Sequence, residues 1–204
     1  MAEIYKDAIY LPALSGKKDL TIIDAGANIG IFSYFASQFA KKIYAIEPSQ
    51  EHFEVLQYMI KYNKLDKVTP FKFALSMLDK SEEALSHYSN KTMFSLYGNI
   101  AENNTTGLVK TGIENVELKR LDTFFKEQKI EKCDFLKLDV EGVEYEVLGS
   151  DSFANIADKI SQMVVEVHGY SGRNPQQIVD SLESRGFEVK QIPNDALLVW
   201  AIHK

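Results

Sequence analysis

Several features are scarce in this sequence, and each scarcity excludes a class of protein. Cys133 is the only cysteine among 204 residues, which excludes an internal disulfide and a cysteine-rich zinc site. Only 23 Lys and Arg oppose 29 Asp and Glu, and this deficit of positive charge disfavours nucleic acid as a partner. No apolar run is long enough to span a bilayer, and no secretion signal is recognisable. We therefore expect a cytoplasmic protein without membrane insertion.

The chain is well supplied with apolar residues, which make up 45% of it and suffice for the core of one domain over residues 1–204. Short continuous apolar runs, typical of buried strands, alternate with segments that repeat every three or four residues, typical of helices. This alternation predicts an α/β fold with a doubly wound parallel sheet. The predicted strands cover 20–24, 42–48, 68–75, 115–121, 133–140, 162–168, 187–192 and 196–203.

Three further segments complete the predicted architecture. Residues 76–114 are polar and lack a clean period, which favours an insertion or lid within the domain. Asn174 and Pro175 are typical of a helix start and Gly186 of a helix end, so we predict a helix over 175–185. The last two predicted strands are joined by a short Pro-Asn-Asp turn, which predicts an antiparallel hairpin at the end of the sheet.

The stretch DAGANIG, residues 24–30, joins the first predicted strand to the first helix. Gly26 and Gly30 allow a tight turn and a close ligand, and the following helix N-terminus favours an anionic group. The spacing does not match the dinucleotide fingerprint G-x-G-x-x-G, which disfavours a pyrophosphate. Glu47, at the end of the second strand, can accept hydrogen bonds from ribose hydroxyls. These features together describe S-adenosylmethionine (SAM), whose ammonium group Asp24 would meet directly or through water.

Two carboxylates and a histidine follow the central strands. Asp139 ends the strand over 133–140, Glu141 lies in the next turn, and His168 ends the neighbouring strand. Because parallel strands end at the same edge of a sheet, we expect these side chains to form a cluster. An ordinary histidine pKa of about 6.5 suits a general base. Magnesium or manganese, held by this cluster or by Glu166, is an alternative that we do not expect, since no compact ligand motif is present.

Structural explanations for the same residues stay open. Lys137 and Glu166, which lie within apolar strands, could form a buried pair that completes the core. Gly26 and Gly30 could simply allow a strand and a helix to pack closely. His168 could be a hydrogen-bonded structural residue. The sequence alone does not decide among these roles.

The motifs resemble the FkbM family of SAM-dependent methyltransferases over roughly residues 20–190. The matching segments, in order, are TIIDAGANIGIFSYFAS, YAIEPSQEHFEVL, LDTF, FLKLDVEGVEYEVLGS and VVEVH. DAGANIG is similar to the first motif of class I methyltransferases, D/E-x-G-x-G-x-G, with Asn28 where the middle glycine is usual. The resemblance implies a Rossmann-like, mostly parallel seven-stranded sheet with an antiparallel C-terminal hairpin. It also implies that the DVEG and EVH segments line the cavity between cofactor and acceptor.

The resemblance further implies that Ala74 and Leu75, at the end of the third predicted strand, lie against adenine. We therefore predict a SAM-dependent methyltransferase, and the family favours O-methylation of a small molecule, carbohydrate or lipid-linked glycan. The alternatives are an NAD-dependent oxidoreductase and a non-catalytic SAM-binding module, while the acidic balance opposes an RNA methyltransferase. The oligomeric state is left open. The expected catalytic residues are Asp139, Glu141 and His168, and the expected cofactor contacts are Asp24, Gly26, Asn28, Gly30, Glu47, Ala74 and Leu75.

Overall fold

The computed structural model describes residues 3–88, 94–95, 110–168, 173–191 and 198–204. Helices alternate with strands over most of this length, as the sequence predicts. The helices are α1 (Glu3–Leu14), α2 (Ile31–Ala36), α3 (Gln50–Tyr62), α4 (Leu121–Glu127), α5 (Glu144–Gly149), α6 (Asp151–Ala154) and α7 (Gln176–Glu183). The strands are β1 (Leu20–Ala25), β2 (Ala40–Ile46), β3 (Val68–Phe71), β4 (Ala74–Leu75), β5 (Lys80–Tyr88), β6 (Phe94–Ser95), β7 (Lys110–Lys119), β8 (Phe135–Leu138), β9 (Gln162–Glu166), β10 (Phe187–Gln191) and β11 (Leu198–His203).

Seven strands form the main sheet in the order β10-β11-β9-β8-β1-β2-β3. The strands from β9 to β3 in that order are parallel, whereas β11 runs antiparallel to both β9 and β10. The predicted Rossmann-like sheet with an antiparallel C-terminal hairpin is therefore confirmed. The chain moves outward from β1 in one direction through β2 and later continues on the other side at β8. The carboxyl ends of β1 and β8 thus flank a topological switch point, where α/β sheets bind ligands.

Successive residues of the central strands face two different helical layers. Ile22 of β1 and Phe135 of β8 pack with residues of α1, α2 and α3, whereas Ile23 and Leu136 pack with residues of α4 to α7. This alternation follows from the period of two along a strand. It explains why these strands read as continuous apolar runs, since both faces of the sheet are covered. Within the described residues, no helix has the length and apolarity needed to cross a membrane.

A second sheet changes the prediction for the middle of the chain. Its order is β4-β7-β5-β6, and it takes up Ala74 and Leu75, which we expected at the end of the third main-sheet strand. The strand predicted over 68–75 is wrong in this respect, because β3 ends at Phe71 and the chain then changes sheets. Strands also occupy described parts of the polar stretch 76–114, where the sequence showed no clean period and we predicted an insertion or lid. The role of that stretch as a lid stays a prediction.

Smaller differences concern helix ends and the N-terminus. We predicted no element before Leu20, yet α1 forms part of one helical layer, and its residues Tyr10 and Leu14 are buried there. Helix α7 is shorter than the predicted 175–185, and Gly186 has the left-handed φ of 88° expected after a helix. The Pro-Asn-Asp turn between β10 and β11 lies outside the described residues. The lone cysteine lies just before β8, in an isolated parallel bridge to Ile160, and is fully buried.

Candidate active site

The glycine turn between β1 and α2 is fixed by backbone contacts on both sides. The N–H groups of Gly26 and Ala27 donate to the carbonyl of Ile46 at 3.0 and 2.9 Å. Gly26 has a φ of 79°, and a Cβ atom there would lie 1.7 Å from the Asp139 carbonyl oxygen. Gly30 has a φ of 90° and is the N-cap of α2. The turn therefore requires glycine where β1, β2 and β8 come together.

Glu47 lies directly beyond β2 and is buried, with its carboxylate facing the turn. Its Oε2 accepts a hydrogen bond from the Asn28 N–H at 2.8 Å, and Oε1 accepts one from the Ser49 N–H at 2.9 Å. Burial raises the pKa of Glu47 to about 7, although these two hydrogen bonds oppose that rise. The predicted strand-end position of Glu47 is thus observed, and its carboxylate also organises the turn.

Asp24 lies at the end of β1 as predicted, but its side chain is not part of the cleft lining, and its contact with a SAM ammonium group stays a prediction. It is fully buried behind the turn, where Oδ2 accepts a hydrogen bond from the Ser33 hydroxyl at 2.7 Å. Its other oxygen lies 3.5 Å from the ammonium of Lys137. Asp24 does not line the cleft described below, so a direct contact with a bound ammonium group is not what this geometry favours. Asp24 therefore stabilises the turn through its hydrogen bond with Ser33 and its ion pair with Lys137.

Lys137 connects the turn to the next strand. Its ammonium donates to the Gly26 carbonyl at 2.9 Å and lies 3.2 Å from Asp139 Oδ2. Burial alone would lower the pKa of Lys137, but the carboxylates of Asp139 and Asp24 outweigh burial and raise it. Lys137 therefore stays charged and joins two acids that end neighbouring strands.

One cleft opens beside these residues. Gly26, Asn28 and Glu47 form one side of it, Asp139 and Glu141 form another, and its empty space, counted to the open mouth, is about 620 Å³. An apolar wall completes the cleft, and the second sheet supplies much of it. The residues of this wall are Ile46, Pro48, Phe73, Ala74, Leu75, Leu85, Val140 and Val143.

The cleft thus contains most of the predicted cofactor contacts, namely Gly26, Asn28, Glu47, Ala74 and Leu75, while Gly30 and Asp24 lie outside its lining. It also contains His52, to which the sequence assigned no role. His52 is buried in the first turn of α3, with Nδ1 4.0 Å from Glu47 Oε1. His52 and Leu56 are the buried residues of α3, and their spacing of four residues was the available signal.

Asp139, Glu141 and His168 form the predicted cluster at the edge of the main sheet. His168 Nε2 lies 3.5 Å from Glu141 Oε2 and 3.9 Å from Asp139 Oδ1. The three side chains are between 18% and 30% exposed, and those of Asp139 and Glu141 also line the cleft. His168 lies two residues beyond β9, whereas we predicted it at the strand end. The segment after β9 still turns its imidazole toward the carboxylates.

Glu144 is a member of this group that the sequence did not reveal. It is fully buried at the start of α5, and its Oε1 accepts hydrogen bonds from the N–H groups of Val140 and Gly142 at 3.0 and 3.2 Å. The same oxygen lies 2.9 Å from His168 Nδ1. Because Oε1 is a carboxylate oxygen held by two donors, we assign the proton of this bond to Nδ1.

The local charges move the pKa values in this cluster. Burial alone would lower the pKa of His168, but the hydrogen bond and charge of Glu144, with the neighbouring carboxylates, raise it to about 9. Burial raises the pKa of Glu141 to about 7, and His168 opposes that rise. The expectation of an ordinary histidine pKa is therefore wrong. An unliganded His168 is mainly protonated at neutral pH and is a poor proton acceptor there.

The strand order, the glycine turn and the acid after β2 define a Rossmann-like methyltransferase fold. Residues 24–189 match the methyltransferase FkbM domain, and the chain belongs to this family. The family resemblance predicted from the DAGANIG, DVEG and EVH segments is thereby confirmed.

Two curated proteins are similar to this chain, and one of them is named a methyltransferase. The chain is 32% identical to methyltransferase sdnD of Sordaria araneosa over 202 residues, which cover 82% of this chain and 73% of that protein. It is 30% identical over 233 residues to the AMB antimetabolite synthetase AmbE of Pseudomonas aeruginosa, covering 96% of this chain. The match takes up only 10% of AmbE, so this chain corresponds to a small part of that protein.

A solved structure agrees in fold. Magnesium protoporphyrin IX methyltransferase (ChlM) from Synechocystis PCC 6803, with bound SAM, aligns with a TM-score of 0.58 and 11% identity. The alignment covers all of this chain and 79% of that one. At this level of identity the likeness establishes the common fold.

Proposed function

We propose that this protein is a SAM-dependent O-methyltransferase that methylates a hydroxyl group of a small molecule, carbohydrate or lipid-linked glycan. The observation that carries the proposal is one cleft in which the glycine turn, Glu47 and an apolar wall adjoin Asp139 and Glu141. The family supports methyl transfer, and the fold is that of a methyltransferase whose structure contains SAM.

The residues of the cleft fit SAM in three ways. Glu47 uses one lone pair on each oxygen for a backbone N–H, so further lone pairs can accept hydrogen bonds from ribose hydroxyls. The absence of a Cβ at Gly26 keeps the turn compact beside Asp139. The apolar wall that includes Ala74 and Leu75 suits the adenine ring. A nucleoside without a diphosphate matches this set of groups.

The chemistry requires a hydroxyl oxygen to be held in line with the methyl group. When bound, SAM supplies a methyl group on a sulfonium that becomes neutral on transfer. The chain can accelerate this displacement by orienting the acceptor and excluding water. A neutral hydroxyl also requires help in losing its proton. We assign that task to the cluster of Asp139, Glu141 and His168, in which the carboxylates that line the cleft are the proton acceptors and His168 lies beside them.

The first test is calorimetric titration of the purified protein with SAM and, separately, with NAD. We expect saturable binding of SAM and none of NAD. Glu47→Ala should abolish SAM binding, because the ribose acceptor is removed, whereas Glu51→Ala, which removes an exposed carboxylate of α3, should leave it unchanged. Binding of NAD alone, or of neither ligand, would overturn the proposal.

A second test separates catalysis from binding. Asp139→Asn and His168→Ala should retain SAM binding but lose methyl transfer to hydroxylated acceptors, followed by mass spectrometry of the products. If a productive acceptor is found and both variants turn over as the wild type does, the catalytic assignment is wrong. Transfer to an amine or thiol in preference to a hydroxyl would contradict the O-methyl assignment while leaving the methyltransferase intact.

A further inference from the structure

We infer that Asp139, Glu141 and His168 form a binding site for a divalent cation of the magnesium and manganese class. One ligand atom from each residue can be chosen so that all three lie within 4.8 Å of one another. Ligands about 2.1 Å from a common ion are about 3.0 Å apart at right angles and about 4.2 Å apart across it. The observed separations of 3.5 and 3.9 Å from His168 Nε2 fall within that range.

The orientation of His168 supports the inference. Glu144 accepts the proton of Nδ1, as argued above, so neutral His168 presents the lone pair of Nε2 to Asp139 and Glu141. A carboxylate that fixes the far nitrogen of a histidine is the usual outer support of a metal-binding imidazole. Here the supporting carboxylate is itself held by backbone N–H groups on the buried side of the cluster.

A second observation concerns the distribution of charge around the cluster. Glu144 Oε2 is buried and has no hydrogen-bond partner within the part of the chain that the structure describes. The positive charge of Lys137 is shared between Asp139 and Asp24 and lies on the Oδ2 side of Asp139. Oδ1 of Asp139 faces His168 instead. On this side a bound cation would balance the carboxylates in place of the His168 imidazolium.

The ligand set narrows the class of metal. Two carboxylates and one imidazole provide a mixed oxygen and nitrogen site, and the partial exposure of all three side chains leaves room for water or a hydroxyl oxygen as further ligands. Carboxylate and water ligands favour magnesium and manganese, and the absence of cysteine near the cluster disfavours soft metals. Such an ion lowers the pKa of a bound hydroxyl, so it would promote the proton loss that O-methylation needs. This catalytic role rests on the proposed function.

The experiment is titration of the chelator-treated protein with Mn²⁺ in the absence of SAM and acceptor, with free Mn²⁺ measured by electron paramagnetic resonance. We expect one saturable site. Glu141→Gln and Asp139→Asn should each raise the Kd at least about tenfold, and Glu144→Gln should raise it by about tenfold or more by releasing His168. The matched control is Asp158→Asn, which removes an exposed carboxylate elsewhere and should leave the Kd unchanged.

Pulsed paramagnetic resonance supplies a readout that loose carboxylate binding cannot reproduce. Bound Mn²⁺ should show coupling to an imidazole nitrogen, and His168→Gln should remove that coupling. Thermal melts of every variant show whether it folds. If another ligand variant does not fold, Glu141→Gln, which changes a partly exposed side chain, still tests the site. Absence of saturable Mn²⁺ binding, or binding unchanged by the ligand variants, would overturn the inference. SAM binding without Mn²⁺ binding would refute only the cation site, whereas the reverse would refute the proposed cofactor.

Discussion

At the scale of single residues, backbone conformation decides which side chains the glycine turn accepts. Asn28 stands where the family motif usually has a glycine, and its φ of 50° lies in the left-handed region that asparagine tolerates better than most residues. Gly26 has no such freedom, because a Cβ would collide with the Asp139 carbonyl. One position of the motif therefore admits a substitution and the other does not.

We expect Gly26→Ala to destabilise the protein by roughly 3 kcal/mol or more, because the collision is with backbone and the φ of 79° is strained for alanine. Gly149→Ala is the matched control, since a Cβ there meets nothing within 4 Å. Urea unfolding followed by circular dichroism measures both. Equal stability of the two variants would show that the turn relaxes more easily than the geometry indicates.

The buried carboxylate of Glu47 makes a pH-dependent contribution to stability. Burial raises its pKa from 4.5 to about 7, so between these values the folded protein holds a proton that the unfolded chain releases. The free energy of unfolding therefore falls as pH rises from about 4.5 to 7, by roughly 3 kcal/mol from this group. Glu47→Gln should remove that part of the slope, whatever its effect on stability at one pH. Glu51→Gln should retain the slope, and parallel slopes for both variants would contradict the assignment.

Single residues were predictable from sequence where their position along a strand determined their place. Glu47 and Asp139 follow β2 and β8 directly, so the edge of the sheet fixes both. The environment of His168 was not predictable, because its pKa depends on Glu144, a contact that only the packing of α5 against the sheet creates. Asp24 shows the same limit, since strand periodicity could not distinguish a residue at the cleft from one behind the turn.

At the scale of elements, the informative departure from prediction is β4. The run over 68–75 reads as one apolar strand, yet β3 ends at Phe71 and β4 pairs with β7 in the other sheet. Both segments are apolar because both are buried, and periodicity carries no information about which sheet a strand joins. The predicted strand over 115–121 overlaps the end of β7, but β5 and the beginning of β7 were missed for a related reason. They carry many charged residues, which propensity disfavours in strands.

Hydrogen bonds to Asp122 connect the start of α4 to the region of α6. Asp122, in its first turn, accepts hydrogen bonds from the Ser152 hydroxyl at 2.7 Å and the Asn155 amide at 3.0 Å, and it also binds the Arg120 guanidinium. We expect Asp122→Ala to destabilise the protein by about 2–3 kcal/mol, because several donors lose their acceptor together. Glu131→Ala removes an exposed acid nearby and should change stability little. Thermal unfolding compares the two variants. A similar loss of stability in both would show that the hydrogen bonds of Asp122 make no specific contribution.

At the scale of the whole molecule, an aromatic cluster packs α4 against the main sheet and against the link from β3 to β4. Phe124 of α4 is fully buried, and its ring centroid lies 5.0 Å from that of Phe71 and 5.2 Å from that of Phe73. Tyr44 of β2 lies at 5.8 Å. Since Phe73 also lines the cleft, this cluster supports the apolar wall from behind.

Removal of the Phe124 ring should destabilise the whole protein. We expect Phe124→Ala to lower the free energy of unfolding by roughly 3–5 kcal/mol, the range for large cavities in a core. Phe124→Leu keeps more of the volume and should cost clearly less. Denaturant titration distinguishes the two. If the alanine variant lost no more stability than the leucine variant, the cluster would have to collapse readily around the gap.

The position of Cys133 gives the molecule a built-in reporter of its own opening. The thiol is fully buried beside the central strand, and burial raises its pKa to about 12, so neither access nor thiolate formation allows it to react in the folded state. A thiol reagent can therefore label the chain only after the segment before β8 separates from the residues packed around it. Because no other cysteine competes, the rate of mass gain at neutral pH measures how often that separation occurs without any denaturant.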